Sequence, residues 1–194
     1  MRELLSAKDP LLQKDLCVAA HAGAHQVSRT VRWLVEHQHV VRRPEDGRYE
    51  VVRPAALVLA MFPYQRVMSR SLVGATRTDR SKRDALRLLV KEGAIPCLET
   101  ALEAYSQYFR ADRVAVYHPA PRKLLARLTP NEGGLLPVEV YSIDIPLEGD
   151  VEGPDASSPF RRTGRFRTLV DLTCDNRTYA AKDLFHALWG VHIE

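Results

Sequence analysis

Residues 24–37, AHQVSRTVRWLVEH, followed after Gln38 by HVVRRPEDGRYEVV, constrain this chain more than any other part of it. Val27, Val31, Leu34 and Val35 fall at i, i+4, i+7 and i+8, which predicts a helix that packs this face inward. His25, Gln26, Ser28, Arg29, Arg32 and Trp33 then project outward near the N-terminal part of that helix. Most of these side chains can hydrogen-bond base edges and phosphates, as a recognition helix requires. Val40 and Val41, then residues 49–52, read as two short strands, and Asp46-Gly47 between them is a tight-turn signal. The helix is thus followed directly by a basic hairpin.

Upstream, Asp9-Pro10 offers an N-cap and a proline at the first helical position, and Leu11, Leu12, Leu16 and Ala19 or Ala20 keep helical spacing. A short link, His21-Ala22-Gly23, places a glycine where one helix must stop and the next start at a steep angle. Helix, glycine turn, helix and hairpin resemble the winged helix-turn-helix domains of bacterial and archaeal regulators. Only residues 2–7 stand before Lys8 and Asp9, so the first helix usual in such domains is expected to be missing, cut to about a turn, or supplied from an upstream start codon.

The resemblance implies base contacts for Gln26, Ser28, Arg29 and Arg32, and backbone contacts for Arg42, Arg43 and Arg48. Against this stands the plainer reading that Arg29 and Arg32 are surface charges pairing with Glu36. On that reading Trp33 merely covers the hairpin.

A length of 194 residues suits one large or two small domains, and the hairpin closes by residue 53. Pro54, which cannot continue a ladder, marks the expected boundary between a domain at 1–53 and one at 54–194. No run approaches a membrane span and no signal pattern opens the chain, so a cytoplasmic protein is expected. Cys17, Cys97 and Cys174 are far apart with no zinc-type spacing and read as buried free thiols.

The net charge of +4 says little, but its distribution says more. Residues 66–91 carry eight Arg or Lys against Asp79 and Asp84, while residues 131–160 carry seven acids and no Lys or Arg. Such an asymmetry suggests one surface that tolerates phosphate and another that repels it, but a solvated helix face accounts for 66–91 equally well, and the acidic block reads equally as a solubilising loop region or a partner-facing surface.

Beyond Pro54 the apolar residues 55–61 read as a helix packing the two domains together, and residues 67–75 as a strand that Thr78-Asp79 follows as a possible helix cap. Helices are expected at 81–92, 96–109, 122–128 and 179–189, and strands at 113–117, 136–145 and 166–172. Residues 148–159, rich in Gly, Pro, Asp and Ser, read as a loop. The fold class expected is α+β, an N-terminal winged helix-turn-helix followed by a mixed α/β domain with a small sheet.

Three passages carry a further resemblance: CLETALEAY at 97–105 leading to VAVY at 114–117, VEVYSID at 138–144, and RTLVDL at 167–172 followed by YAAKDL at 179–184. In this order behind a winged helix, they resemble the AbiEi-type transcriptional regulators, antitoxins of type IV toxin–antitoxin systems. That resemblance implies a repressor of its own operon needing no cofactor. Its partners would be duplex operator DNA, a nucleotidyltransferase-like toxin and a second copy of the chain, with no membrane. It assigns no chemistry to Asp144 or Asp171.

No GxSxG, P-loop, GxGxxG or HExxH occurs, and the regulator reading involves no enzyme. A metal-dependent nuclease is the enzymatic alternative, in which Glu99, Glu103, Asp112, Glu139, Asp144 and Asp171 converge on Mg²⁺. Asp171 itself reads more readily as a cap or loop anchor for residues 175–177 at a strand end. A third possibility is a protein-interaction module whose winged helix is degenerate and whose acidic 131–160 region contacts a partner.

Overall fold

A computed structural model describes residues 2–60, 71–106, 109–128, 133–143, 147, 149–175 and 177–189, with Arg2, Ser6, Leu59, Thr178, Asp183 and Trp189 described by backbone alone. The fold is mixed α+β with small sheets. The chain divides into two compact units, Met1–Met61 and Phe62–Glu194.

In the first unit α1 (Arg2–Ser6), α2 (Gln13–Ala19) and α3 (Ala24–Glu36) precede a hairpin of β1 (Val40–Arg42) and β2 (Tyr49–Val51), and α4 (Pro54–Ala60) follows. α2 starts later than its proline suggests. Leu11 pairs with Tyr49 instead, exchanging backbone hydrogen bonds of 3.1 and 2.8 Å, so the backbone is extended there. The helix opens only where Asp15 Oδ2 accepts from the Leu12 N–H at 3.3 Å. The turn into α3 also departs from expectation. His21 takes the left-handed conformation (φ 47), while Gly23 is the extended N-cap of α3 with φ −66. Histidine tolerates that region better than most side chains.

Val27, Val31 and Leu34 form the buried face of α3, each worth on the order of 1.5–3 kcal/mol when withdrawn from water. Val35, expected inside, is 38% exposed because its position has rotated off that face. The hairpin pairs Val40 with Val51 and Arg42 with Tyr49. Its loop closes through Arg43 N–H to the Arg48 carbonyl (2.8 Å) and Gly47 N–H to the Arg43 carbonyl (2.9 Å). Gly47 supplies the positive φ, +67, that this turn demands.

The second unit holds a four-stranded sheet in the order β3 (Leu72–Thr78), β6 (Leu136–Ser142), β5 (Val114–His118), β4 (Ile95–Pro96). β5 and β6 run parallel and the outer pairs antiparallel. α5 (Lys82–Lys91) and α7 (Pro121–Arg127) cover one face, where Leu86, Leu89 and Leu124 pack on Val114, Val116, Val138 and Val140. Ser81, rather than Thr78 or Asp79, caps α5 by accepting from Asp84 N–H at 3.2 Å. On the opposite face α6 (Leu98–Leu102) packs on β5, and α8 (Arg165–Cys174) and α9 (Thr178–Trp189) pack on α6 and on each other, with β7 (Val151–Glu152) and β8 (Arg162–Thr163) as a separate short ladder.

Further elements of the second unit differ from the sequence expectation, among them β7, a strand within the loop expected at 148–159 because residues 151–152 pair with 162–163. Residues 166–172 are helical, not a strand, because Arg167 and Asp171 lie one turn apart and pair on the buried side. The helix expected over 96–109 stops at Leu102, and Tyr105 beyond it turns toward the β7–β8 ladder. The start of the strand expected at 67–75, and the end of that at 136–145, lie outside the described residues. Cys97 is fully buried, whereas Cys17 and Cys174 are only partly so. Among the described residues no helix is long and apolar enough to cross a membrane.

Candidate nucleic-acid interface

α3 has one face inward through Val27, Val31 and Leu34, so residues about half a turn away must look outward. These are His25, Arg29, Arg32 and Glu36, and all four are exposed. Among the described residues Arg29 and Arg32 have no ion-pair partner, and the pairing of Arg32 with Glu36 that the spacing allows is not made. Two guanidinium groups thus stand next to each other on one open surface.

The remaining residues expected to join them are placed differently. Ser28 is half-buried on one flank of α3. Gln26, also exposed, lies on the other flank at the rim of a small crevice of about 210 Å³ lined by Leu16 of α2 and Leu4 of α1. In the hairpin, Arg42 is exposed and its guanidinium lies over Gly47, 3.3 Å from where a Cβ would stand. Arg43 is engaged across the hairpin, its Nε donating to Glu50 Oε2 at 2.7 Å. Arg48 donates to the Pro10 carbonyl at 3.1 Å and lies 3.4 Å from Asp46. The structure therefore brings Arg29 and Arg32 together, leaves Arg42 open, and uses Arg43 and Arg48 to hold the hairpin and the segment before α2.

At the C-terminal end of α3 an aromatic stack was not foreseen. Trp33 lies 4.2 Å from His37 between ring centroids and 5.7 Å from His39. His37 Nδ1–H donates to the Trp33 carbonyl at 2.8 Å. His39 Nδ1 is buried without a hydrogen-bond partner among the described residues. Burial, with the charges of His37 and Arg53 behind it, pulls the His39 imidazole below its ordinary value.

The acids considered as metal ligands do not gather as a carboxylate cluster. Asp144 lies outside the described residues. Glu103 pairs with Lys82 at 2.7 Å, and Asp112 with Arg113 at 2.9 Å. Glu99 and Glu139 do approach each other, but Arg177 stands between them, bonded to Glu99 and 3.4 Å from Glu139, with Asp175 on its Nε. Arg113 and Tyr141 complete the set, at 3.0 and 2.9 Å from Glu139. Each of these described carboxylates is thus held by a cationic partner, Glu103 by the Lys82 ammonium and Glu99, Asp112 and Glu139 by guanidinium groups. Among the described residues no group of three or more His, Cys, Asp or Glu is arranged to hold a metal ion.

Asp171 lies within α8 rather than at a strand end. It accepts from Arg167 Nε at 2.7 Å and from the Tyr117 hydroxyl at 2.9 Å, while Arg167 Nη2 donates to the Tyr117 oxygen at 3.1 Å. Burial pushes its carboxyl up to about 6 against the pull of Arg167. The i, i+4 spacing of Arg167 and Asp171 was the available signal for this triad, obscured by the apolar residues around it.

Within the acidic 131–160 region, the described Glu152 and Asp155 are also used internally. Arg162, 2% exposed, lies 2.6 Å from Asp155 and 3.7 Å from Glu152, with its guanidinium over the Tyr105 ring at 4.8 Å. Asp150 is buried, and Glu148 lies outside the described residues. No known protein family, curated protein or solved structure matches the chain.

Proposed function

We propose that the chain is a sequence-specific DNA-binding regulator, antitoxin-like, whose first unit is a winged helix-turn-helix. α3 is its recognition helix and the β1–β2 hairpin its wing. The observation that carries this reading is the pair Arg29 and Arg32, exposed and without an ion-pair partner among the described residues on the outward face of α3. An unpaired guanidinium keeps both rows of its donors for a bidentate bond to a guanine edge, or for phosphate. Arg42, equally open on β1, supplies a backbone contact. The order α2, short turn, α3, hairpin supports the reading, and so does the Leu11–Tyr49 bridge that ties the hairpin to the chain before α2.

In this proposal Arg29 and Arg32 read bases, Ser28 bonds at the groove edge and Arg42 fixes the wing on a phosphate. Gln26, exposed on the flank of α3, contributes beside them, and Arg43 and Arg48 set the wing's shape before they touch DNA. A toxin of nucleotidyltransferase type and a second copy of the chain on a two-fold operator complete the proposed setting. The test is fluorescence anisotropy on operator DNA. Arg29→Ala should cost on the order of 1–3 kcal/mol for the cognate site. Equal affinity of that variant and the wild type for cognate DNA would remove the assignment.

A further inference from the structure

The basic run noted in the sequence plays no part in the reading above, yet the second unit gives its described residues a definite arrangement. α5 turns Ala85, Leu86 and Leu89 inward, which leaves Arg83, Arg87 and Lys91 exposed at i, i+4 and i+8. Arg80, just before the helix, is exposed as well. α7 lies on the same side of the sheet, since its Leu124 shares the core cluster with Leu86 and Leu89. Its outward side shows Arg122, Lys123 and Arg127. A crevice of about 500 Å³ beside the two helices is lined by Arg77, Arg80 and Arg127 together with Thr76 and Thr78. Acids among the described residues on or beside these elements are Asp79, Asp84, Glu92 and Glu103, the last paired with Lys82 of α5 at 2.7 Å. Asp84 is bonded to Ser81 and lies 3.4 Å from Arg87, and Glu92 pairs with Arg127.

From this placement we infer that the α5–α7 face of the second unit binds the phosphate backbone of duplex nucleic acid, without reading its bases. Residues four apart on a helix are separated by about 6 Å, close to two of the roughly 3.4 Å axial steps between phosphates on one strand. Cations repeating at that interval over two helices match a repeating charge better than a single anion. A membrane surface fits less well: interfacial helices insert an apolar face, and the apolar face of α5 is already in the core. The surface belongs wholly to the second unit and stands apart from the reading of α3.

The test uses the full chain with Arg83→Gln, Lys91→Gln, Arg122→Gln and Lys123→Gln combined, which leaves the Arg87–Asp84 and Arg127–Glu92 pairs in place. All four side chains are exposed, and an unchanged melting temperature establishes that the variant is folded. Binding to a labelled scrambled duplex is followed across a salt series. The slope of log K against log salt should become shallower by roughly 2 to 4, at about 0.9 for each phosphate that is no longer neutralised. Affinity at low salt should fall about tenfold or more, and any preference for cognate over scrambled DNA should survive. An Arg29→Ala, Arg32→Ala variant should instead lose that preference, so failure of the α3 reading is seen separately. Unchanged affinity and slope in the folded quadruple variant would overturn the inference. So would loss of binding to phosphatidylserine vesicles or polyglutamate while duplex binding stays intact.

Discussion

Arg167 and Asp171 sit one turn apart on α8 with 2.7 Å between Nε and Oδ1, both withdrawn from solvent and both bonded to the Tyr117 hydroxyl. Removing one partner of such a pair strands the other charge. Asp171→Ala is expected to destabilise the second unit by about 3–5 kcal/mol, whereas Arg167→Met combined with Asp171→Leu should recover most of that stability. Chemical denaturation of the two variants checks this, and equal destabilisation would show that the pair is not coupled.

The same carboxyl gives a pH dependence of unusual sign. Its pKa in the folded chain, about 6, lies above the ordinary 3.8. Folding therefore favours its protonated form, and the stability it contributes is fully present below about 3.8 and lost as pH rises through 6. Most paired carboxylates act oppositely, and Asp155, held low by Ser157 and Arg162, loses its contribution as pH falls below 3.8. Subtracting an Asp171→Asn denaturation series between pH 4 and 7 from the wild-type series should isolate a term that declines with rising pH. A term that grows with pH would contradict the assignment.

Acid should also act on the first unit. His39 titrates below its ordinary 6.5, so its contribution is present above 6.5 and lost as pH falls through the lowered value. Trp33 stacks on His37 and lies beside His39, and thus its fluorescence should change on acidification below 6.5. His39→Phe should shift that transition or abolish it.

Gly47→Ala is expected to cost about 1–2 kcal/mol, because φ of +67 suits glycine and strains alanine. The added methyl would also press on the Arg42 guanidinium 3.3 Å away. Thermal unfolding measures the cost, and DNA binding should weaken along with it.

Much of the first unit was legible in the sequence because its signals were of two unmistakable kinds. Val27, Val31 and Leu34 keep helical period, and the Asp46-Gly47 pair marks a turn. What was not legible depended on partners distant in sequence. The bridge from Leu11 to Tyr49 delays α2 past Pro10, and Glu50 takes up Arg43 across the hairpin. In the second unit, residues 166–172 are too short and apolar for periodicity to separate strand from helix, and only burial of Arg167 with Asp171 decides it. Among the described acids, Glu152 and Asp155 are counter-charges of Arg162, and Glu99 and Glu139 of Arg177, pairings that composition alone does not reveal.

The hairpin arginines offer a graded check on the proposed interface. Arg42→Ala should weaken DNA binding without loss of stability, whereas Arg43→Ala should lower stability slightly by freeing Glu50. Equal effects of the two on binding at unchanged stability would mean that the ion pair opens on DNA.

The central claim is tested most directly by anisotropy of the purified chain on the DNA upstream of its own coding sequence, against a scrambled duplex, over a series of salt concentrations. The account predicts affinity well above that for the scrambled duplex together with a steep salt slope, as base and phosphate contacts combine. Equal, weak binding to both duplexes would contradict it.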